Sequence, residues 1–209
     1  MMLLLPGMDG SGALWGPLVA ELGGVEVERW RYPTNVGRYD ELLDGIPRIE
    51  APTIVVAESF GGPLAIRLAA RDRGARELVL IASFARGPRL ARWTGALAAL
   101  TPHPPPRYAV RAALLGGPHP IEDALLAAIA AVEPAAMRTR IREVARVDVR
   151  RELASLRIPV TWIHATRDRL LGPPTPSSIP IDGPHLLAQT RPREIAAILR
   201  RTSDPPPTS

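Results

Sequence analysis

Five short apolar runs, separated by segments of helical periodicity, constrain this chain more than any other feature. They are residues 1–5 (MMLLL), 25–30 (VEVERW), 53–58 (TIVVAE), 77–83 (ELVLIAS) and 160–165 (VTWIHA). Several are continuously apolar rather than alternating, which is the pattern of strands covered on both faces of a parallel sheet. Residues 13–22, 38–46 and 61–72 carry apolar side chains at helical spacing. Strand and helix in turn predict an α/β fold, a mostly parallel central sheet with helices on both faces.

The alternation stops after Phe84. Residues 87–156 read as helix only, in segments 90–100, 107–115, 120–132, 135–146 and 148–156, with Pro- and Gly-rich breaks at 101–106 and 116–120. This predicts a helical insertion, or lid, within a single domain spanning 1–209. A Pro/Ser-rich stretch at 170–178 precedes a short strand at 178–181 and a final helix at 191–201. The tail TSDPPPTS, 202–209, is predicted to be disordered.

Composition removes several chemistries. Of the 209 residues, 46% are hydrophobic, enough for one sizeable core. No cysteine is present, which excludes disulfides, thiolate nucleophiles and cysteine metal sites. All 26 basic residues are arginine, which excludes a Schiff-base lysine, a Walker lysine and a Ser-Lys dyad. The net charge is +5, but the arginines are scattered and interleaved with acids, as in Arg71-Asp72-Arg73 and Arg167-Asp168-Arg169. That spread reads as a solvated surface rather than a nucleic-acid stripe. Histidines and carboxylates do not cluster at metal-ligand spacing, so neither metal nor cofactor is expected. Residues 1–5 are too short for a signal peptide, and no run approaches the ~18 apolar residues of a membrane span, so a cytoplasmic protein is expected.

The segment Ala57-Glu58-Ser59-Phe60-Gly61 carries the chemical signal. It sits between an apolar strand and an amphipathic helix, and it is an A-x-S-x-G form of the nucleophile elbow. A serine on a tight strand-to-helix turn projects its hydroxyl clear of the sheet, and residues two before and two after must be small. Ala57 and Gly61 meet that need. The amide of Phe60 opens the helix and is placed to donate to an oxyanion.

A nucleophilic serine needs a base, and the base needs an orienting carboxylate. His103 and His119 lie in Pro-rich turns, and His164 lies inside a strand. His185, in IDGPHLL, follows the last short strand and suits a base delivered on a loop. Asp168 stands just past strand 160–165, at the same sheet edge as Ser59, and is preferred as its partner. Asp182, Glu58 and Asp148 are the alternatives. The order Ser59, Asp168, His185 matches one known arrangement of such a triad. The strand-to-glycine turn LLLPGMDGSG, 3–12, supplies a second oxyanion donor at the amide of Met8. Its spacing, G-x-x-G-x-G with no Gly-Lys-Ser/Thr, argues against a phosphate loop.

The pieces LLLPGMDGSG, VVAESFGG, LVLIASF, IPVTWIHATRDRLL and IDGPHLL resemble, in order and across the whole chain, a small bacterial α/β-hydrolase of the serine esterase/lipase-like superfamily. The resemblance implies Ser59 as nucleophile, His185 as base and Asp168 as its orienting acid. It implies Met8 and Phe60 as amide donors and a small ester or thioester as substrate. Trp15, Leu97 and Leu114 are the expected pocket residues. Four features depart from the family. Pro6-Gly7 replaces the usual His-Gly, and Ala57 replaces the elbow's first glycine. The family's N-terminal hairpin is expected to be missing. Only 17 positions separate Asp168 from His185, where most relatives place a helix. This shortening motivates the alternative, a non-catalytic member that binds a ligand or partner.

Overall fold

The computed structural model describes residues 1–88 and 103–203. Six strands, all parallel, form one sheet: β1 (Met2–Leu5), β2 (Val27–Arg29), β3 (Thr53–Glu58), β4 (Ala75–Ile81), β5 (Val160–Ala165) and β6 (Ile179–Ile181), in the order β2-β1-β3-β4-β5-β6. The register sets Leu5 beside Ala57, Glu58 beside Ile81, and Ile81 beside Ile163. The C-terminal ends of β1, β3, β4 and β5 therefore meet along one edge.

Helices occupy both faces. A 3-10 turn (Ala13–Trp15) leads into α1 (Gly16–Leu22), followed by α2 (Tyr39–Asp44) and α3 (Gly61–Arg71). Beyond β4 come α4 (Arg107–Val110), which continues as a π-helical turn (Arg111–Leu115), then α5 (Glu122–Ala131), α6 (Pro134–Arg146) and α7 (Arg150–Ser155). After β6 come α8 (Leu187–Thr190) and α9 (Pro192–Ser203). Among the described residues no helix is long and apolar enough to cross a membrane.

The period-two alternation of the strands divides the core. Leu3, Leu5, Val55, Ala57, Leu78 and Leu80 pack with Leu42, Leu64 and Leu68 of α2 and α3. Met2, Leu4, Ile54, Val56, Val79 and Ile81 pack with Leu18, Leu22, Ile195 and Leu199 of α1 and α9. Each such Val, Leu, Ile or Met side chain contributes about 1.5–3 kcal/mol when fully buried. A third cluster joins Val110, Leu125, Ile129 and Met137 of the helical segment to Leu14 and Leu186 near the sheet edge.

Several expectations shift. The second apolar run is not doubly covered: β2 is an edge strand, and Glu28 and Arg29 are exposed. The strand expected at 77–83 occupies Ala75–Ile81, which leaves Ser83 in the turn beyond it. Helix α9 runs on to Ser203. The expected helix at 90–100, with Leu97, and positions 204–209 of the tail lie outside the described residues.

Trp15 is not a pocket residue. It is 1% exposed and packs in the α1/α9 core, because α1 lays its apolar stripe against α9. Nor are all the interleaved charges solvated. Asp72 is buried, and although burial would raise its pKa, hydrogen bonds from Arg71, the Ile49 amide and Arg48 hold it at about 2.

At the β3–α3 junction, a Cβ on Gly61 would stand 2.6 Å from the Pro6 carbonyl oxygen and 2.8 Å from that of Leu5. Both are backbone atoms that cannot swing aside. Gly61→Ala is therefore expected to lower the unfolding free energy by about 1–3 kcal/mol through overpacking. Urea denaturation with an unchanged m-value checks this, and wild-type stability would contradict it.

Candidate active site

Ser59 follows the last residue of β3 with φ 52°, a left-handed conformation that is sparsely populated for a non-glycine residue and costs about 1–3 kcal/mol. Its surroundings hold it there. The Ser59 N–H donates to the Ile81 carbonyl at 3.0 Å, and its own carbonyl accepts from the Gly62 N–H at 3.1 Å and from Ser83 Oγ at 2.7 Å. A Cβ on Gly62 would overlap the Ser83 hydroxyl, so the glycine makes room for that bond.

The structure brings Ser59, His185 and Asp168 into one hydrogen-bonded chain. Ser59 Oγ lies 2.8 Å from His185 Nε2, and His185 Nδ1 lies 2.7 Å from Asp168 Oδ2. An ionised carboxylate only accepts, so Nδ1–H donates to Asp168 and Nε2 is left to accept from the serine. Asp168 is anchored through its other oxygen, which accepts the Leu170 and Leu171 amides at 2.7 and 3.1 Å. The His185 and Asp168 side chains are each 2% exposed.

The short connection suffices because no helix is needed to span it. Strands β5 and β6 are direct neighbours, and the loops beyond them are stitched together. The Thr166 amide donates to Ile181 at 2.9 Å, and the Arg167 amide donates to Gly183 at 3.1 Å. Asp168 and His185 thus ride on adjacent strand ends beside Ser59. The alternative carboxylates are engaged elsewhere. Asp182 is exposed and pairs with Arg167 at 2.9 Å, and Asp148 pairs with Arg150 at 2.7 Å. His164 meets Ser178 at 2.9 Å, and His103 meets the Val132 carbonyl at 2.7 Å.

The two expected amide donors belong to peptide units whose carbonyls are tied back. The Ser59 carbonyl shares a plane with the Phe60 N–H, and Ser83 and Gly62 hold it. The Gly7 carbonyl shares a plane with the Met8 N–H and accepts from Gly10 at 3.1 Å. In a trans peptide the N–H points opposite to the C=O, so each amide faces away from its anchor. Among the described residues no acceptor pairs with either amide.

Three buried side chains hold the flanking carbonyls. Tyr32 Oη donates to Pro6 at 3.2 Å, Tyr39 Oη to Phe60 at 3.0 Å, and Arg140 Nη1 to Met8 at 2.8 Å. The Tyr39 ring also stacks on that of Phe60, with centroids 4.5 Å apart. Burial pushes both tyrosine hydroxyls well above their usual pKa, so they remain donors.

Arg140 is fully buried, contrary to the reading of the arginines as solvated. Its guanidinium fork also serves Val36 and Pro33, and it lies 5.7 Å from the Tyr32 ring centroid. Sequence reasoning missed Ser83, Tyr32, Tyr39 and Arg140. The only trace of Arg140 in the sequence is its place one helical turn from Ala136 on α6.

A cavity of about 480 Å³ opens over Ser59 and His185. The helical segment supplies most of its wall through Ala113, Leu114, Leu125, Ile129, Met137 and Ile141. Leu114 lines this cavity and Trp15 does not, while Leu97 is outside the described residues. Among the described residues no group of three or more His, Asp or Glu side chains could hold a metal ion.

Glu58 points away from the site, as its neighbouring position on a strand requires, and anchors the segment that follows His185. It accepts from the Ala188 amide at 3.0 Å and from Gln189 Nε2 at 2.9 Å. Burial pushes its pKa up to about 7. The two hydrogen bonds and His185 oppose that rise, and the Asp9 charge adds to it. Once protonated, Glu58 can donate to the Gln189 amide oxygen, which has no other partner among the described residues, after that amide turns over.

No protein-family model matches the sequence, and no curated protein matches it. Solved structures do. A hydrolase from Pseudomonas aeruginosa is 14% identical, with a TM-score of 0.79 over 98% of this chain and 89% of that one. An esterase from Exiguobacterium antarcticum is 11% identical, with a TM-score of 0.78 over 96% and 90%. An extracellular α/β-hydrolase from a Paenibacillus species is 18% identical, with a TM-score of 0.71 over 96% and 97%. The chain has the α/β-hydrolase fold.

The raised Glu58 pKa has a signed consequence. The folded chain keeps this proton up to about pH 7, whereas the unfolded chain releases it near 4.5. Stability from this group is therefore fully present below 4.5, lost as pH rises through 7, and amounts to on the order of 3 kcal/mol. Glu58→Gln mimics the protonated form. Its unfolding free energy is expected to lose this slope between pH 4.5 and 7 and to exceed wild type at pH 8. Denaturant titrations across that range check this, and an unchanged slope would contradict it.

Proposed function

We propose that the protein is a serine hydrolase that cleaves a small carboxylic ester or thioester through an acyl-enzyme on Ser59. The observation that carries this reading is the chain Ser59 Oγ–His185–Asp168, with links of 2.8 and 2.7 Å, beneath an apolar cavity. Its fold neighbours include proteins described as a hydrolase and an esterase, in keeping with that chemistry.

In this mechanism Ser59 Oγ attacks the substrate carbonyl carbon while His185 Nε2 takes the hydroxyl proton. Asp168 holds the imidazole in the required tautomer and balances the imidazolium that forms. The carbonyl oxygen becomes an oxyanion and receives the Met8 and Phe60 amides. The tetrahedral adduct collapses, the bond to the leaving alcohol or thiol breaks, and His185 returns its proton to that group. Water then adds to the acyl-enzyme with His185 as base, which releases the acid and restores Ser59. The reaction uses only this chain's side chains, its backbone and a water molecule. The helices over the cavity act as a lid that receives the acyl group.

Turnover of a p-nitrophenyl ester by folded variants tests the proposal. Ser59→Ala is expected to lower kcat by ~10⁶-fold and Asp168→Asn by ~10⁴-fold. Ser83→Ala removes an orienting bond but no donor. A fall in kcat of about tenfold with little change in KM is expected, short of the ~10²–10³-fold that follows loss of a donor itself. Wild-type turnover retained in Ser59→Ala would overturn the assignment of the nucleophile.

A further inference from the structure

Helix α6 turns one stripe toward the cavity over Ser59. Pro134, Met137, Arg138 and Ile141, at positions i, i+3, i+4 and i+7, all line that space. Three are apolar and match the surrounding wall. Arg138 is a cation in the middle of an otherwise apolar helix face.

Arg138 is half-buried and, among the described residues, makes no ion pair or hydrogen bond. Asp9 is the one acidic residue lining the cavity among the described residues; its Oδ2 accepts from the Ser11 amide and hydroxyl at 2.9 and 2.7 Å, and it makes no ion pair with Arg138. The other polar groups of the wall are spoken for: His103 by the Val132 carbonyl, and His185 by Ser59 and Asp168. Residues 89–102 contain no Asp or Glu, so that stretch can offer no carboxylate partner. Arg140, two residues on, shows the contrast, because every arm of its fork meets a backbone carbonyl.

We infer that Arg138 is a specificity residue that selects acyl groups carrying a carboxylate at the end remote from the scissile carbonyl. The apolar wall takes the methylene chain, and the planar guanidinium takes the carboxylate through paired N–H donors. A cavity of about 480 Å³ admits such a chain. The substrate class is then the half-ester or half-thioester of a dicarboxylic acid. This inference rests on the proposed hydrolase function.

Three matched series of p-nitrophenyl esters, with acyl chains of four to eight carbons, test it. One series ends in a methyl group, one in a carboxylate and one in an amine. The readout is the ratio of kcat/KM between series at equal length. Wild type is expected to favour the carboxylate series over the neutral one by about tenfold or more at its best length. Arg138→Ala should cut that ratio by about 10- to 100-fold, and Arg138→Glu should invert it in favour of the amine series.

Ser59-dependent hydrolysis with no carboxylate preference at any length, or a ratio unchanged in Arg138→Ala, overturns this inference alone. Failure of wild type to hydrolyse any series overturns the hydrolase reading and this inference with it.

Discussion

The left-handed backbone at Ser59 is the constraint on which the rest of the structure depends. It exists only because β3 ends and α3 begins within one tight turn, and because the neighbours leave no other path. Gly61 lets the turn lie directly against the Leu5 and Pro6 carbonyls, and Gly62 lets the Ser83 hydroxyl reach the Ser59 carbonyl. The strain, on the order of 1–3 kcal/mol, is held by a parallel sheet in which β1 and β3 are buried along their whole length. The same bonds that hold the strain also set the direction of the Phe60 amide. Backbone conformation, packing and the polarity of the site are one arrangement here.

Around that turn the protein buries polar groups that would be costly without partners, and nearly all of them have partners. Tyr32, Tyr39 and Arg140 donate to carbonyls on either side of the two site amides. Glu58 ties the strand that carries Ser59 to the helix that follows His185. Arg140 reaches in from the helical segment, so the elements over the cavity are joined to the Met8 loop and to the Pro33–Val36 segment by charge-assisted hydrogen bonds.

Much of this was legible in the sequence where a local rule decides the outcome. Buried parallel strands announce themselves as continuous apolar runs, and β1 and β3 fall where the runs do. An edge strand obeys a weaker rule, so β2 shrank to three residues, of which only Val27 is half-covered. Ser59 was legible because strand, small residues and helix coincide within a few positions. The meeting of Asp168 with His185 was readable only as an order along the chain. Its cause lies in backbone bonds between two loops that no local pattern encodes. Trp15 was misplaced because an apolar residue beside a glycine turn can face a cavity or a core, and the partner helix α9 decides which. Arg140 was hidden because a lone arginine on an arginine-rich helix looks solvated until the helix face is known.

The central claim is that the hydroxyl of Ser59 is activated by His185 within a site that stabilises an oxyanion. The most direct measurement is reaction with a fluorophosphonate followed by mass spectrometry of the intact protein and its peptides. The account predicts one covalent adduct per chain, located on Ser59, and none in a folded His185→Ala variant. A well-folded wild-type protein that forms no adduct, or forms it on another residue, would contradict it.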